Sequence, residues 1–236
     1  MKRFIIYLVA FISLLLLFNS CNESLESNKN YLHARKSFVK INVYAAINPC
    51  SKKKCIKNPF FHFSSASGFA IKYKYKTHIL TAAHVCDTEE MENFARTQNA
   101  VAETKFKLID IRGIKHVGIV IKINRTSDLC LISSETLNIL SIQLASNPSK
   151  IGEKVYNFAA PAGIYNPPML PILTGIYNGD SGNVSIYSIP ATGGSSGSPI
   201  VNRNGQLIGM IHSVYINFKN LSVSATYKDI AQFLID

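Results

Sequence analysis

Apolar and polar residues alternate with a period of two along Phe38-Val39-Lys40-Ile41-Asn42-Val43-Tyr44, the spacing of a strand with one buried and one wet face. Short β-like runs recur at 68–71, 78–81, 106–111, 116–123 and 129–132. After a polar stretch carrying Pro148, more follow at 154–158, 173–177, 184–189, 199–201 and 207–212. Turn residues separate the runs. Many short strands with turn signals between them predict an all-β barrel or sandwich. Two stretches have helical spacing: Asp87 to Ala95, and Thr226 to Ile235, where Ile230, Phe233 and Leu234 share a face. No internal repeat, heptad run or low-complexity tract occurs.

The first 33 residues follow a different pattern. Lys2 and Arg3 form a basic start, residues 4–18 an apolar run, and Asn19, Ser20 and Cys21 follow. These are the three parts of a secretory signal, and the run is short for a membrane span. A small residue followed by a cysteine resembles a bacterial lipoprotein signal, in which Cys21 would be lipidated and become the new N-terminus. Phe18 and Asn19 depart from the residues usual there, so ordinary secretion and an uncleaved anchor stand beside that reading. The expected layout is a signal peptide over 1–20, a polar tether over 21–33 that is lipid-anchored if Cys21 is modified, and a folded domain over 34–236. A cell-envelope lipoprotein, touching the membrane through Cys21, is the first expectation for location.

With 236 residues, 47% of them hydrophobic and 17% charged, the chain suits one two-lobed domain or two small ones and excludes global disorder. The net charge of +11 would favour anionic partners, and a Lys-rich, well-solvated surface is the plainer reading of it. Its densest cluster, Lys52, Lys53, Lys54 and Lys57, sits just before Phe60, Phe61 and Phe63 without any nucleic-acid motif. It reads as an exposed loop, and no nucleic-acid partner is expected. Export permits disulfides among Cys50, Cys55, Cys86 and Cys130. Three connectivities exist, and buried free thiols are the other reading. Cys50 and Cys55 would close a short loop, and Cys86 and Cys130 each stand two residues after a candidate catalytic residue. Neither the cysteines nor His33, His62, His78, His116 and His212 have metal-ligand spacing, so no metal or cofactor is expected.

Three segments carry the chemistry: Leu80-Thr81-Ala82-Ala83-His84-Val85-Cys86, Thr126-Ser127-Asp128-Leu129-Cys130-Leu131-Ile132, and Thr192-Gly193-Gly194-Ser195-Ser196-Gly197-Ser198-Pro199-Ile200. Each alone is modest; together, in the order His, Asp, Ser, they are specific. A serine hydroxyl is a weak nucleophile and needs an adjacent base. A carboxylate must hold the imidazole tautomer and stabilise the imidazolium. A developing oxyanion needs backbone N–H donors, and small residues before the serine let the main chain form that concavity. Ser196 is the expected nucleophile, His84 the general base, Asp128 the orienting acid, and the N–H groups of Gly194 and Ser196 the oxyanion hole. The stretch 193–197 also reads as G-x-S-x-G with Ser195 as nucleophile, the mark of an α/β-hydrolase esterase. That fold needs an acid and then a histidine downstream, but His212 precedes both Asp229 and Asp236.

These residues resemble the trypsin-like, chymotrypsin-fold serine peptidases. "LTAAHV" at 80–85 is similar to the family's histidine segment, "SDLCLI" at 127–132 to its aspartate segment, and "GSSGSPI" at 194–200 to its nucleophile segment. "SGFAI" at 67–71 and "NGQLIGMIHS" at 204–213 resemble the flanking strands. The pattern is nearest the compact bacterial HtrA-like and glutamyl-endopeptidase-like members. The resemblance implies two antiparallel six-stranded β-barrels, at about 38–140 and 150–225, with the active site in the cleft between them and a short terminal helix at about 226–235. It implies a serine endopeptidase acting on protein or peptide substrates. Ser195 stands where Asp or Asn is frequent, and Ser198 where Gly is. No activation-cleavage motif is recognisable that would supply a new N-terminus to order the oxyanion hole.

By the same resemblance the primary pocket has walls at Pro190, Ala191 and Thr192 on one side and His212, Ser213 and Val214 on the other. Pro190 lies where a trypsin-type acid would sit, so a Lys or Arg side chain would lack a counter-charge. Small or apolar P1 residues are the first expectation, and acidic P1 residues, received by His212, the second. The alternative from another class is a peptidase-fold binding or adhesion lipoprotein without activity.

Overall fold

The structure is a computed structural model that describes residues 30–51, 54–215 and 217–236. The signal segment 1–20, Cys21, most of the tether, and Lys52 and Lys53 lie outside the described residues. Thirteen strands run in chain order: β1 Phe38–Ser51, β2 Lys54–Cys55, β3 Phe61–Tyr73, β4 Lys76–Thr81, β5 Ala100–Asp110, β6 Lys115–Asn124, β7 Leu129–Ser133, β8 Lys154–Phe158, β9 Ile172–Ser181, β10 Val184–Tyr187, β11 Ser198–Val201, β12 Leu207–Tyr215 and β13 Phe218–Ala225. Helices α1 (Ala83–Cys86) and α2 (Glu89–Thr97) follow β4, and α3 (Tyr227–Ile235) ends the chain.

The first sheet has the order β2-β1-β3-β4-β7-β6-β5 and closes by pairing β5 back onto β1. That ladder runs from Val39 opposite Asp110 to Pro49 opposite Ala100. The second is a closed barrel, β10-β13-β12-β11-β8-β9. Apart from β2, which only extends β1, each barrel has six strands. This is the two-barrel architecture expected from the sequence. Closure follows from the alternation, because each strand turns every second side chain inward and leaves no unpaired edge. Phe38, Phe69, Leu80, Leu108, Leu131 and Ile132 fill the first barrel and the seam. Val155, Tyr187, Ile189, Ile200, Ile208 and Ile211 fill the second. Each such side chain contributes about 1.5–3 kcal/mol on burial. Ile230 and Phe233 of α3 join the first cluster.

Several elements differ from the sequence expectation. The helix expected at 87–95 lies at Glu89–Thr97, after the one-turn α1. Strand β13 was absent from the pattern. Its inward residues Ser222 and Ser224 are fully buried, and small polar residues read as turn signals. They are small because the Tyr187 ring fills the space: a Cβ on Gly209 would lie 2.7 Å from the Tyr187 hydroxyl and 2.9 Å from Ser224 Oγ. The end of the tether is also not free of the domain. Tyr31 stacks on Tyr156 with ring centroids 4.1 Å apart, so ordered structure reaches back before residue 34.

All four described cysteines pair. Cys50–Cys55 closes the short β1–β2 connection, and Cys86–Cys130 joins α1 to β7 across 44 residues of sequence. In the chain-entropy account a loop of that size stabilises the fold by about 4 kcal/mol. The second bridge also ties the segment after His84 to the segment after Asp128.

Candidate active site

Strand β4 ends at the buried Thr81 and delivers the chain into α1, whose first turn carries His84. Asp128 arrives on the turn between β6 and β7, with φ of 53°. That left-handed conformation is one Asp tolerates better than most residues. The two residues meet at two points. The His84 backbone N–H donates to Asp128 Oδ1 at 2.9 Å, and the His84 ring Nδ1 lies 2.8 Å from Asp128 Oδ2. An ionised carboxylate only accepts, so Nδ1 carries the proton and Nε2 keeps its lone pair. The His84 side chain is 51% exposed and that of Asp128 21%, so the ring faces the cleft while its partner lies beneath it. Burial pushes the Asp128 carboxyl up, but the hydrogen bonds from the His84 ring and backbone, with the charges of His84 and His212, outweigh it. The net position is below the ordinary carboxylate range.

Ser196 comes from the loop between β10 and β11. Gly194 and Gly197 on either side have φ of 91° and 83°, a region open to glycine alone without strain. Space forbids a side chain there as well. A Cβ on Gly197 would lie 2.1 Å from the Ser67 carbonyl oxygen, and one on Gly194 would lie 2.5 Å from that of Ala160. The Ser196 hydroxyl contacts the carbonyl oxygen of His212 at 3.5 Å, a weak hydrogen bond. No hydrogen bond joins it to the His84 ring among the described residues. The hydroxyl is turned toward β12. Ser195, the rival nucleophile, is 1% exposed. Its Oγ accepts from the Thr192 N–H at 3.3 Å within its own turn. The segment after Gly197 continues as strand β11, not as the helix of an α/β-hydrolase.

His212 sits differently from the expected pocket wall. Its ring Nδ1 lies 3.5 Å from Asp128 Oδ2, so Asp128 has a histidine on each side. Burial holds the His212 ring below the ordinary histidine range, against the opposing pull of the Asp128 charge. The β12 ladder is irregular between Ile211 and Ser213, and Ile211, Ser213 and Val214, not His212, line the small cavity beside Ser196, which has a volume of about 90 Å³. Thr192, Ala191, Ser213 and Val214 line it as expected; Pro190, exposed on the surface, does not.

Residues 66–210 match the family model described as "Trypsin-like peptidase domain". The chain belongs to the trypsin-like peptidase family. None of the curated proteins matches it significantly. Among solved structures, this trypsin-like domain is similar to the serine endoprotease from Yersinia pestis, at 17% identity and a TM-score of 0.64. That match covers 87% of this chain and 64% of the other, so this sequence spans less than two thirds of that protein's chain. The active form of the Rv3671c protease from M. tuberculosis is also similar, at 17% identity and a TM-score of 0.62, covering 90% of this chain and 85% of that one. At such identities the likeness is one of fold, and it agrees with the two barrels described above. The contacts that Ser67, Ala160 and Ala162 make at the loop carrying Ser196 have no spacing signal in the sequence.

Proposed function

We propose that this chain is a serine endopeptidase that hydrolyses peptide bonds through an acyl-enzyme on Ser196. The observation that carries the reading is the two-point hold of His84 by Asp128, which leaves the lone pair of His84 Nε2 free on a half-exposed ring, while Ser196 meets the carbonyl of His212, whose ring flanks the same Asp128. In the reaction, the Ser196 hydroxyl leaves its weak contact with the His212 carbonyl and gives its proton to Nε2 as Oγ attacks the substrate carbonyl carbon. The carbonyl oxygen becomes the oxyanion, received by the N–H groups of Gly194 and Ser196. His84 then protonates the leaving amine, and water repeats the sequence to release the acid. A fluorophosphonate should label the purified protein on Ser196 and fail to label Ser196→Ala. Labelling that persists in the variant removes Ser196 as nucleophile. A wild-type protein that neither labels nor cleaves is the binding or adhesion protein instead.

The cavity beside Ser196 has room for a short aliphatic side chain and not for an aromatic ring. It offers no charge to a Lys or Arg, and its only polar side chains are hydroxyls. With His212 turned to Asp128, the basis for an acidic P1 preference is gone. A P1-scanning peptide library should favour Ala, Val or Thr, with Lys, Arg and Glu at least about 100-fold poorer in kcat/KM, as expected for a charge brought without a partner into a small pocket. A preference for Lys, Arg or Glu would overturn this reading of the pocket.

The exported, lipid-anchored reading of the N-terminus is likewise a proposal. Its support is that the four cysteines of the domain are used in disulfides, the pattern of an oxidising compartment, which leaves Cys21 for modification. Intact mass of the mature protein should show diacylglycerol on Cys21, and Cys21→Ser should move the protein from the membrane to the soluble fraction. A mature N-terminus without lipid would defeat the proposal.

A further inference from the structure

Four consecutive peptide units, from Gly193 to Gly197, surround the reactive hydroxyl, and every carbonyl among them is anchored. The Gly193 oxygen accepts from the Ala162 N–H at 2.6 Å, and the Ser195 oxygen from the Ser198 N–H at 3.0 Å. The Gly194 oxygen accepts from the Ser67 hydroxyl at 2.7 Å, and the Ser196 oxygen from the Ser67 N–H at 2.9 Å. Two of the four N–H groups are bound as well, Ser195 to the Thr192 oxygen and Gly197 to the Ile211 oxygen. The two left without an acceptor among the described residues are those of Gly194 and Ser196. In a trans peptide the N–H points opposite to its C=O, so anchoring the Gly193 and Ser195 carbonyls fixes the directions of these two donors.

Ser67 is the hub of that arrangement. It lies on β3 of the first barrel, 0% exposed. All its polar groups are engaged, two of them directly on the nucleophile loop of the second barrel. Besides the two bonds above, its Oγ accepts from the Ala160 N–H at 3.0 Å, and its carbonyl accepts from the Thr81 hydroxyl at 2.8 Å. The Ala160 bond fixes the start of the turn at 160–163, and the Ala162 N–H of that same turn holds the Gly193 oxygen. One hydroxyl thus supports both the Gly194 carbonyl and the turn that orients the Gly194 N–H. The support is needed because Gly193 and Gly194 have no side chains to restrict their peptide, which is otherwise free to turn over.

We infer that Ser67 is a positioning residue that holds the oxyanion hole formed in the chain as it stands, with no new N-terminus required. The inference rests on the peptidase reading above. Ser67→Ala deletes the hydroxyl alone and keeps the backbone bonds. It should lower kcat by about 10²–10³-fold, the effect of losing an oxyanion donor, with KM changed less than about threefold. Affinity for a peptide boronate, which forms a tetrahedral adduct, should fall with kcat. Affinity for an uncleaved peptide, measured in the Ser196→Ala background, should not. Ser37→Ala, which removes another buried hydroxyl bonded only to the Ala34 carbonyl, controls for general loss of stability and should keep kcat. A crystal structure of Ser67→Ala should show the Gly193–Gly194 or Gly194–Ser195 peptide rotated. Unchanged kcat and an unrotated loop would overturn the inference while leaving the peptidase reading intact. Absence of fluorophosphonate labelling in the wild type would instead defeat that reading.

Discussion

Turnover of a peptide substrate is expected to fall about 10⁶-fold when Ser196 is replaced by alanine, and no further when His84 is replaced in the same chain. In the proposed reaction the two side chains act on one proton in one step, so their losses should not add. His84 Nδ1 is committed to Asp128, which leaves Nε2 as the only ring position that can take the Ser196 proton. Without Ser196 there is no acyl acceptor, and without Nε2 the hydroxyl stays a poor nucleophile. Residual turnover of the single and double variants, about 10³–10⁴-fold over water, would come from the Gly194 and Ser196 N–H groups and from substrate binding. The measurement is kcat on a cleavable peptide for the three variants, with circular dichroism to establish folding. Additive losses, or a double variant much worse than either single, would contradict a shared proton transfer.

Asp128→Asn should cost about 10⁴-fold in kcat while leaving the fold and the KM nearly unchanged. The amide is isosteric but presents an N–H₂ and one oxygen where the carboxylate presents two acceptors. One oxygen already receives the His84 backbone N–H at 2.9 Å. If the amide oxygen takes that bond, its N–H₂ faces Nδ1 and forces the proton onto Nε2, which ends general-base action. The charge that stabilises the imidazolium is also lost. His212, 3.5 Å from the same carboxylate, does not replace it, because a ring beside a ring supplies no negative charge. NMR of the His84 ring should show the proton moved from Nδ1 to Nε2. Retained turnover would mean that Asp128 only supports the local fold.

Much of this was readable before any coordinates. The strands show as period-two runs because a barrel buries one face of each strand, and a local rule of that kind leaves its mark residue by residue. The three catalytic segments are local in the same sense: each needs its neighbours, the small residues around Ser196 and the apolar strand after Asp128, for reasons that act within a few positions. Other features left no such mark. Ser222 and Ser224 look like turn residues until β13 is paired with β10 and β12 and buries them, so its sequence carries no strand signal. Residues 100–105 of β5, residues 44–49 of β1 and the start of β3 at Phe61 are strands because they pair with one another, and residues 50–51 of β1 because they pair with β2, not because of their own alternation.

The residues of the candidate triad, the all-β class and the likeness to trypsin-like peptidases follow from patterns spanning fewer than ten residues, and the chain alone was enough to name them. Contacts between residues far apart in sequence decided the rest. They turned the His212 ring onto Asp128 and out of the pocket. They joined Cys86 to Cys130, docked Tyr31 on Tyr156, and brought Ser67 onto the carbonyls of Gly194 and Ser196. The physical reason is range. Alternation, turn chemistry and motif spacing are properties of a short stretch of chain. Which face of a strand meets which partner depends on the register and closure of two barrels, and these are set only when both cores are packed.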